Sequence, residues 1–333
     1  MNINRKSVFK RIMVTGGSAV AGTAMRSVAK AYPGSEFIFS DCDLIDRDST
    51  FEYVNGCGPD AIIHLAAISG GIGLSTRYPA TLLRDNVLIN FNVLEAARRF
   101  NIKKTVMTLS SGMYPPDAPI PIKEESVHCG NPHESNYSYA FAKRLVEPSI
   151  KAYRTQYGLN IIGLVPNGIF GENDNFNLEE ASMLPSLIRR FYEKRHEGSK
   201  LVVWGDGSPL REYTYSIDIA RAFMWCLENY DGAQILNIGS TEEHSVKEIA
   251  LMTAGVLRIS KERVFFDISK PNGVFRKSTD NTRFLKLSGF EYTPFREGLE
   301  NTVRWFQSTY ENSPETLRTR SKIRSDRRGV SRR

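Results

Sequence analysis

An apolar run, Arg11-Ile12-Met13-Val14-Thr15, passes without a spacer into Gly16-Gly17-Ser18-Ala19-Val20-Ala21-Gly22, and no other stretch limits the possible folds so strongly. The run reads as a short buried strand, and a helical pattern follows to about Tyr32. A strand that turns at once into a helix brings backbone close to a bound group. It also aims helix N–H groups at that group, the arrangement that cradles a pyrophosphate. The spacing here is Gly-x-x-Ala-x-x-Gly, with Ala19 where a middle glycine would lie. Further apolar runs follow at 37–39, ending in Ser40-Asp41-Cys42-Asp43-Leu44, at 61–67, and at 106–109, with an amphipathic helix expected over 79–100. Strands alternating with helices predict an α/β fold whose parallel sheet is wound on both faces. Right-handed crossovers then put a ligand at the carboxyl ends of the strands.

Ser110 falls at such an end. Downstream, Tyr137-Ser138-Tyr139-Ala140-Phe141-Ala142-Lys143 sets Tyr139 and Lys143 four apart, on one face of a helix. Tyr137 is not equivalent, because its i+4 residue is Phe141. A phenol needs help to exchange protons near neutrality, and a neighbouring ammonium would lower its pKa. A serine hydroxyl would hold a carbonyl oxygen while the phenol passes the proton. A Tyr-x-x-x-Lys alone is common on surface helices; the upstream strand and glycine turn give this one its meaning.

The charge pattern narrows the function classes. Of the net +7, residues 312–333 contribute eight Lys/Arg against Glu315 and Asp326, a surplus of six, which leaves the other 311 residues near neutral. The large apolar residues of this tail are Leu317, Ile323 and Val330, so it is expected to be a disordered, solvated basic tail. A nucleic-acid binder would carry its charge on a folded face, and none is expected here. No run of eighteen apolar residues marks a membrane span, and residues 1–10 lack the apolar core of a secretory signal. Cys42, Cys57, Cys129 and Cys226 form no C-x-x-C pair, which fits reduced thiols and a cytoplasmic location. No metal site is expected.

Taken together, the glycine turn and the Ser/Tyr/Lys set resemble the extended short-chain dehydrogenase/reductases. Further stretches look like the GDP-L-fucose synthase branch. They are His64-Leu65-Ala66-Ala67, Gly70-Gly71-Ile72, Tyr78-Pro79-Ala80, Asn86, Pro132-His133-Glu134-Ser135-Asn136 and Asp174-Asn175-Phe176-Asn177. Leu184-Pro185, Val203-Trp204-Gly205-Asp206-Gly207, Arg211-Glu212 and Ser269-Lys270-Pro271-Asn272-Gly273 continue the likeness, in order, from about Arg11 to Phe306. The resemblance implies a Rossmann doubly wound sheet, mainly residues 1–171 with a crossing back near 205–245, and a smaller C-terminal α/β substrate domain, mainly 172–311. It implies a homodimer pairing through the helices near 79–100 and 139–157, with Leu82, Val87, Ile89 and Val93 as apolar surface. It also implies a nicotinamide dinucleotide, NAD(H) or NADP(H), and a GDP-linked 4-keto sugar. Ser110, Tyr139 and Lys143 would be catalytic. Gly16, Ser18, Ala19, Val20, Gly22, Asp41, Asp43, Leu44, Leu65, Ala66, Ala67, Asn86, Lys143, Pro166 and Ile169 would hold the dinucleotide. Ser111, Gly112, Met113, Asn167, Asn175, Ser182, Arg190, Val203, Trp204, Arg211 and Lys277 would hold the substrate.

Three departures from that pattern matter. Family members epimerise at C3 and C5 with a Cys/His pair, and the matching positions here are Gly112 and Ser182. Glycine has nothing to titrate, and an unactivated serine is a poor base. His128 and His133, in the loop before Tyr139, are the candidate substitutes. Relatives that use NADPH carry arginines in the glycine turn and after the second strand; here Ser18 and Asp41 stand there, so the expectation leans to NAD(H). Pro166-Asn167-Gly168-Ile169 replaces a common Pro-Thr-Asn beside the nicotinamide. The expectation is a 4-keto reductase that has lost epimerisation; a bifunctional synthase and a non-catalytic nucleotide-sugar or dinucleotide sensor are the alternatives.

Overall fold

The computed structural model describes residues 5–319. Along the chain run strands β1 (Arg11–Thr15), β2 (Glu36–Phe39), β3 (Ala61–His64), β4 (Lys104–Thr108), β5 (Ile161–Pro166), β6 (Gly168–Phe170), β7 (Leu201–Trp204), β8 (Leu210–Tyr215), β9 (Leu236–Ile238), β10 (Glu243–Ser245) and β11 (Val264–Asp267). Between and after them lie helices α1 (Val20–Ala29), α2 (Arg47–Cys57), α3 (Ile72–Arg77), α4 (Pro79–Arg99), α5 (Tyr137–Arg144), α6 (Val146–Tyr157), α7 (Met183–Glu193), α8 (Ser216–Asn229), α9 (Val246–Val256), α10 (Thr282–Ser288) and α11 (Phe295–Asn312).

Six strands form one parallel sheet in the order β2-β1-β3-β4-β5-β9. Strand periodicity explains its two cores. Met13, Ile62 and Met107 point to one face, where α4 contributes Ile89 and Val93 and α6 contributes Val146 and Ile150. Their neighbours Ile12, Val14, Ile63 and Val106 point to the other, under Met25 of α1 and Phe223 of α8. Strand order reverses between β1 and β3, and in a doubly wound sheet the ligand crevice opens above that point.

The chain returns to the sheet through α8 and β9. It returns again near the C-terminus, where Phe284, Phe290 and Tyr292 pack on the second core. A third core joins α7, α9 and α11 with β6, β7 and β8, through Leu184, Ile188, Ile249, Leu299 and Phe306.

Two expectations change here. Leu82, Ile89 and Val93 are buried, at 1%, 5% and 0% exposure, so they cover the sheet and offer no pairing surface; α4 exposes Leu83 and Leu88 instead. The segment after α11 is also folded up to Thr319. Leu317 is 5% exposed in the third core, and the Arg318 carbonyl accepts the Phe176 N–H at 2.9 Å. Leu317 and the hydrogen bonds of Arg318 dock this turn, although the surrounding composition reads as solvated. Residues 320–333 of the expected tail lie outside the described ones.

Candidate active site

The turn after β1 closes on itself. Gly16 has φ +72°, a left-handed conformation that favours glycine, and a Cβ on Gly22 would lie 2.2 Å from the Gly16 carbonyl oxygen. The tight packing of this turn on α1 therefore depends on hydrogen in place of a side chain. Ala19 is the N-cap of α1 and makes no side-chain cap, so the first helical N–H groups face the crevice without a protein partner from that cap. Such a cradle fits a pyrophosphate. A cavity of about 720 Å³ starts at this turn and runs over the carboxyl ends of β1, β3, β4 and β5.

Ser110 follows β4 and opens a single helical turn, its Oγ accepting the Gly112 N–H at 3.2 Å. Tyr139 and Lys143 reach the same cavity from α5, and the Tyr139 side chain hydrogen-bonds Ser110. Lys143 is 1% exposed and donates from Nζ to the Thr108 carbonyl at 2.8 Å.

A buried polar chain sets α5 against the sheet. Thr15 Oγ1 accepts the N–H groups of Leu65 and Ala66, both at 3.1 Å, so its proton goes to His64 Nδ1 at 2.8 Å. His64 Nε2 then donates to Asn90 Oδ1 at 3.2 Å, and Asn90 Nδ2 donates to the Ala142 carbonyl at 3.3 Å. Burial first, and then the Lys143 charge, push His64 down to about 3, which keeps this relay neutral. Arg144 donates to the carbonyls of Met113 and Gly130 and fixes the turn below Ser110.

The electrostatics differ from the expectation for Tyr139. Burial raises the phenol to about 12, partly offset by its Ser110 bond, while burial lowers Lys143 to about 7. Desolvation sets the direction for both groups, because both sit in the same dry corner. Tyr139 therefore keeps its proton at neutral pH.

Of the other expected residues, Gly16, Ala19, Val20, Gly22, Leu65, Ala67, Pro166 and Ile169 line the cavity, as do Ser111, Gly112, Asn167, Asn175, Ser182, Trp204, Arg211 and Lys277. Several do not. Val203 is 3% exposed in the third core, since strand alternation in β7 turns Trp204 outward and Val203 inward. Met113 and Leu44 are buried in the first core. Ala66 packs under Gly16, whose Cβ would lie 2.8 Å from the Ala66 backbone. Asn86 is buried and spends its amide on the loop after β3, with Oδ1 accepting from Ile68 N and Nδ2 donating to the Ile68 carbonyl, both at 3.0 Å. Asn167, although in the cavity wall, gives its side chain to Ser240, Glu212 and Thr214. Arg190 is outside the lining, with its Nε buried and unpartnered among the described residues. Ser18, Asp41 and Asp43 are exposed beyond the enclosed part, and Asp43 Oδ1 accepts the Ile45 N–H.

Neither loop histidine enters the cavity. His128 Nε2 pairs with Glu147 at 2.9 Å, and His133 caps a short turn through Ser135. Among the described residues the lining contains neither Cys nor His. At Gly112 a Cβ would come 3.0 Å from Asn136 Nδ2, so an amide occupies the space a side chain there would need.

Sequence reading missed Asn136, Glu180, Tyr213 and Arg318, all in the lining. Arg318 donates to the Asn173 carbonyl at 3.0 Å. Glu212 accepts from Thr279 N at 3.0 Å and is raised to about 7 by burial; Lys277 is lowered by burial and by Arg211. Outside the lining, Arg26 stacks on Phe39 beside the glycine turn.

The model of the NAD dependent epimerase/dehydratase family matches residues 7–239. A GDP-L-fucose synthase of Dictyostelium discoideum is 33% identical over 312 residues, covering 91% of this chain and 97% of that protein. A GDP-L-fucose synthetase from Naegleria fowleri, solved with NADP, superposes with TM-score 0.85 at 33% identity, over 93% of this chain and 95% of that one. A Campylobacter jejuni GDP-6-OMe-4-keto-L-xylo-heptose reductase shares the fold at TM-score 0.84 and 23% identity. With its parallel sheet, its glycine cradle and its Ser/Tyr/Lys corner, the chain belongs to the NAD-dependent epimerase/dehydratase family, as a GDP-L-fucose synthase-like short-chain dehydrogenase/reductase.

Proposed function

We propose that the protein reduces the C4 ketone of a GDP-linked 4-keto sugar and does not epimerise C3 or C5. The relatives named GDP-L-fucose synthase support the substrate class, and the Naegleria relative's NADP supports a nicotinamide dinucleotide. Bound over the glycine turn, that dinucleotide would supply a hydride to C4. Ser110 and Tyr139 would hold the ketone oxygen, and Tyr139, protonated at neutral pH, would donate the proton that completes the alcohol. Lys143 would hold the dinucleotide's ribose. Arg211 and Lys277, both in the cavity wall, are the cations proposed for the diphosphate and hexose, as such groups favour charge-assisted donors.

One observation carries the loss of epimerisation. In the family the proton transfers beside the ketone fall to a Cys/His pair, and Gly112 and Ser182 stand where that pair would be, in a cavity wall that among the described residues holds neither Cys nor His. Pairing of two copies through α4 and α6 is proposed as well, because Leu83, Leu88, Leu145 and Tyr157 are exposed there.

The test follows nicotinamide oxidation with GDP-4-keto-6-deoxymannose. The expected result is one dinucleotide oxidised per sugar reduced, slowed by about 10²–10⁴ in Tyr139→Phe. Failure to turn over with the keto sugar, alongside tight binding of both ligands, would favour a sensor and overturn the reading.

A further inference from the structure

Asn136 stands at the head of α5, where an asparagine ordinarily turns its side chain back to accept from the first N–H groups of its own helix. It makes no such cap. Instead Oδ1 is held from another element, since Ser75 Oγ, 8% exposed on α3, donates to it at 3.2 Å. That bond decides which end of the amide is which, and it leaves Nδ2 as a donor without a protein acceptor among the described residues. Asn136 lines the cavity, and its amide lies beside the Ser110 hydroxyl. The point where Gly112 would carry a Cβ is 3.0 Å from Asn136 Nδ2 and 3.4 Å from Ser110 Oγ.

We infer that Asn136 is a specificity-determining residue, whose amide donates to the hydroxyl on the carbon beside the ketone, C3 of the sugar. This rests on the reductase reading above, in which Ser110 and Tyr139 hold the oxygen on C4. A donor next to Ser110 then meets a substituent of an adjacent carbon. Of the two neighbours, C5 of a 6-deoxy sugar carries a methyl group and the ring oxygen, a weak acceptor, whereas C3 carries a hydroxyl. The hydroxyl is the group that matches an N–H donor, and in a dry site its absence leaves that donor unpaired. An amide has no proton to exchange near neutrality and cannot serve as a base toward carbon. Asn136 therefore grips the C3 oxygen beside Gly112 and leaves the hydrogen on C3 in place.

The experiment measures kcat/KM for GDP-4-keto-6-deoxymannose and for its 3-deoxy analogue, in the parent, Asn136→Ala and Ser75→Ala. The parent should favour the hydroxylated sugar by about ten- to a hundredfold more than Asn136→Ala does, the range for a buried donor left without its partner. A side chain that merely tied α3 to α5 would lower both sugars together and leave their ratio as in the parent. Ser75→Ala frees the amide to turn, so its ratio should fall between those of the parent and Asn136→Ala. The same ratio in the parent and in Asn136→Ala would overturn this inference while leaving the reductase reading intact. Turnover of neither sugar by the parent would overturn both.

Discussion

Lys143 holds its ammonium where water barely reaches, so its replacement by an apolar side chain of similar length should stabilise the free protein. The displacement from 10.5 to about 7 corresponds to on the order of 5 kcal/mol, at about 1.4 kcal/mol for each factor of ten. Lys143→Met removes that burden but leaves the Thr108 carbonyl without its 2.8 Å donor, which costs about 1–2 kcal/mol. The net gain is about 3 kcal/mol below pH 7. Its pH dependence has a definite sign. In the unfolded chain the lysine keeps its proton up to about pH 10.5, and in the folded protein it loses the proton above about 7. Across that window the unfolded state binds more protons, so parent stability rises with pH while the variant's lacks this contribution. The advantage of Lys143→Met should shrink by about 1.4 kcal/mol per pH unit and reverse at about pH 9–10. Urea unfolding of both proteins without dinucleotide, from pH 6 to 10, measures the difference. Parallel stability profiles, or a variant less stable at pH 6, would refute the assignment of Lys143 as a strained, buried charge.

Other consequences are simpler. Tyr139→Phe should lower kcat by about 10²–10⁴ with dinucleotide affinity unchanged, read by steady-state kinetics and direct binding. Gly22→Ala places a methyl 2.2 Å from the Gly16 carbonyl oxygen, so dinucleotide affinity should drop more than tenfold by titration. Leu317→Ala should reduce stability by about 2 kcal/mol in urea unfolding, because that side chain anchors the segment after α11. If the segment were solvated, the change would be nil.

What the sequence revealed was what local spacing determines. The parity of Ile12, Met13 and Val14 gives a strand buried on both faces, and the four-residue step from Tyr139 to Lys143 gives a shared helix face. Where pairing partners come from afar, sequence was silent. Arg318 reaches the cavity from beyond the last helix, Arg26 meets Phe39 only once α1 lies beside β2, and Asn136 occupies the space next to Gly112. Asn86 and Asn167 show the converse: residues of the right type beside the site whose amides are already committed to the protein. Tyr139 moved opposite to expectation because desolvation depends on depth, which no spacing reports. Val203 and Trp204 are neighbours whose fates are separated by strand parity alone.

The central claim is reduction at C4 without proton exchange at C3 and C5. It is tested most directly by running the reaction with GDP-4-keto-6-deoxymannose in heavy water and reading the product by NMR. The account predicts oxidised dinucleotide and a reduced sugar that keeps its original hydrogens and configuration at C3 and C5. Deuterium at those carbons in a fuco-configured product would contradict it, and would mean that groups other than a Cys/His pair move those protons in this cavity.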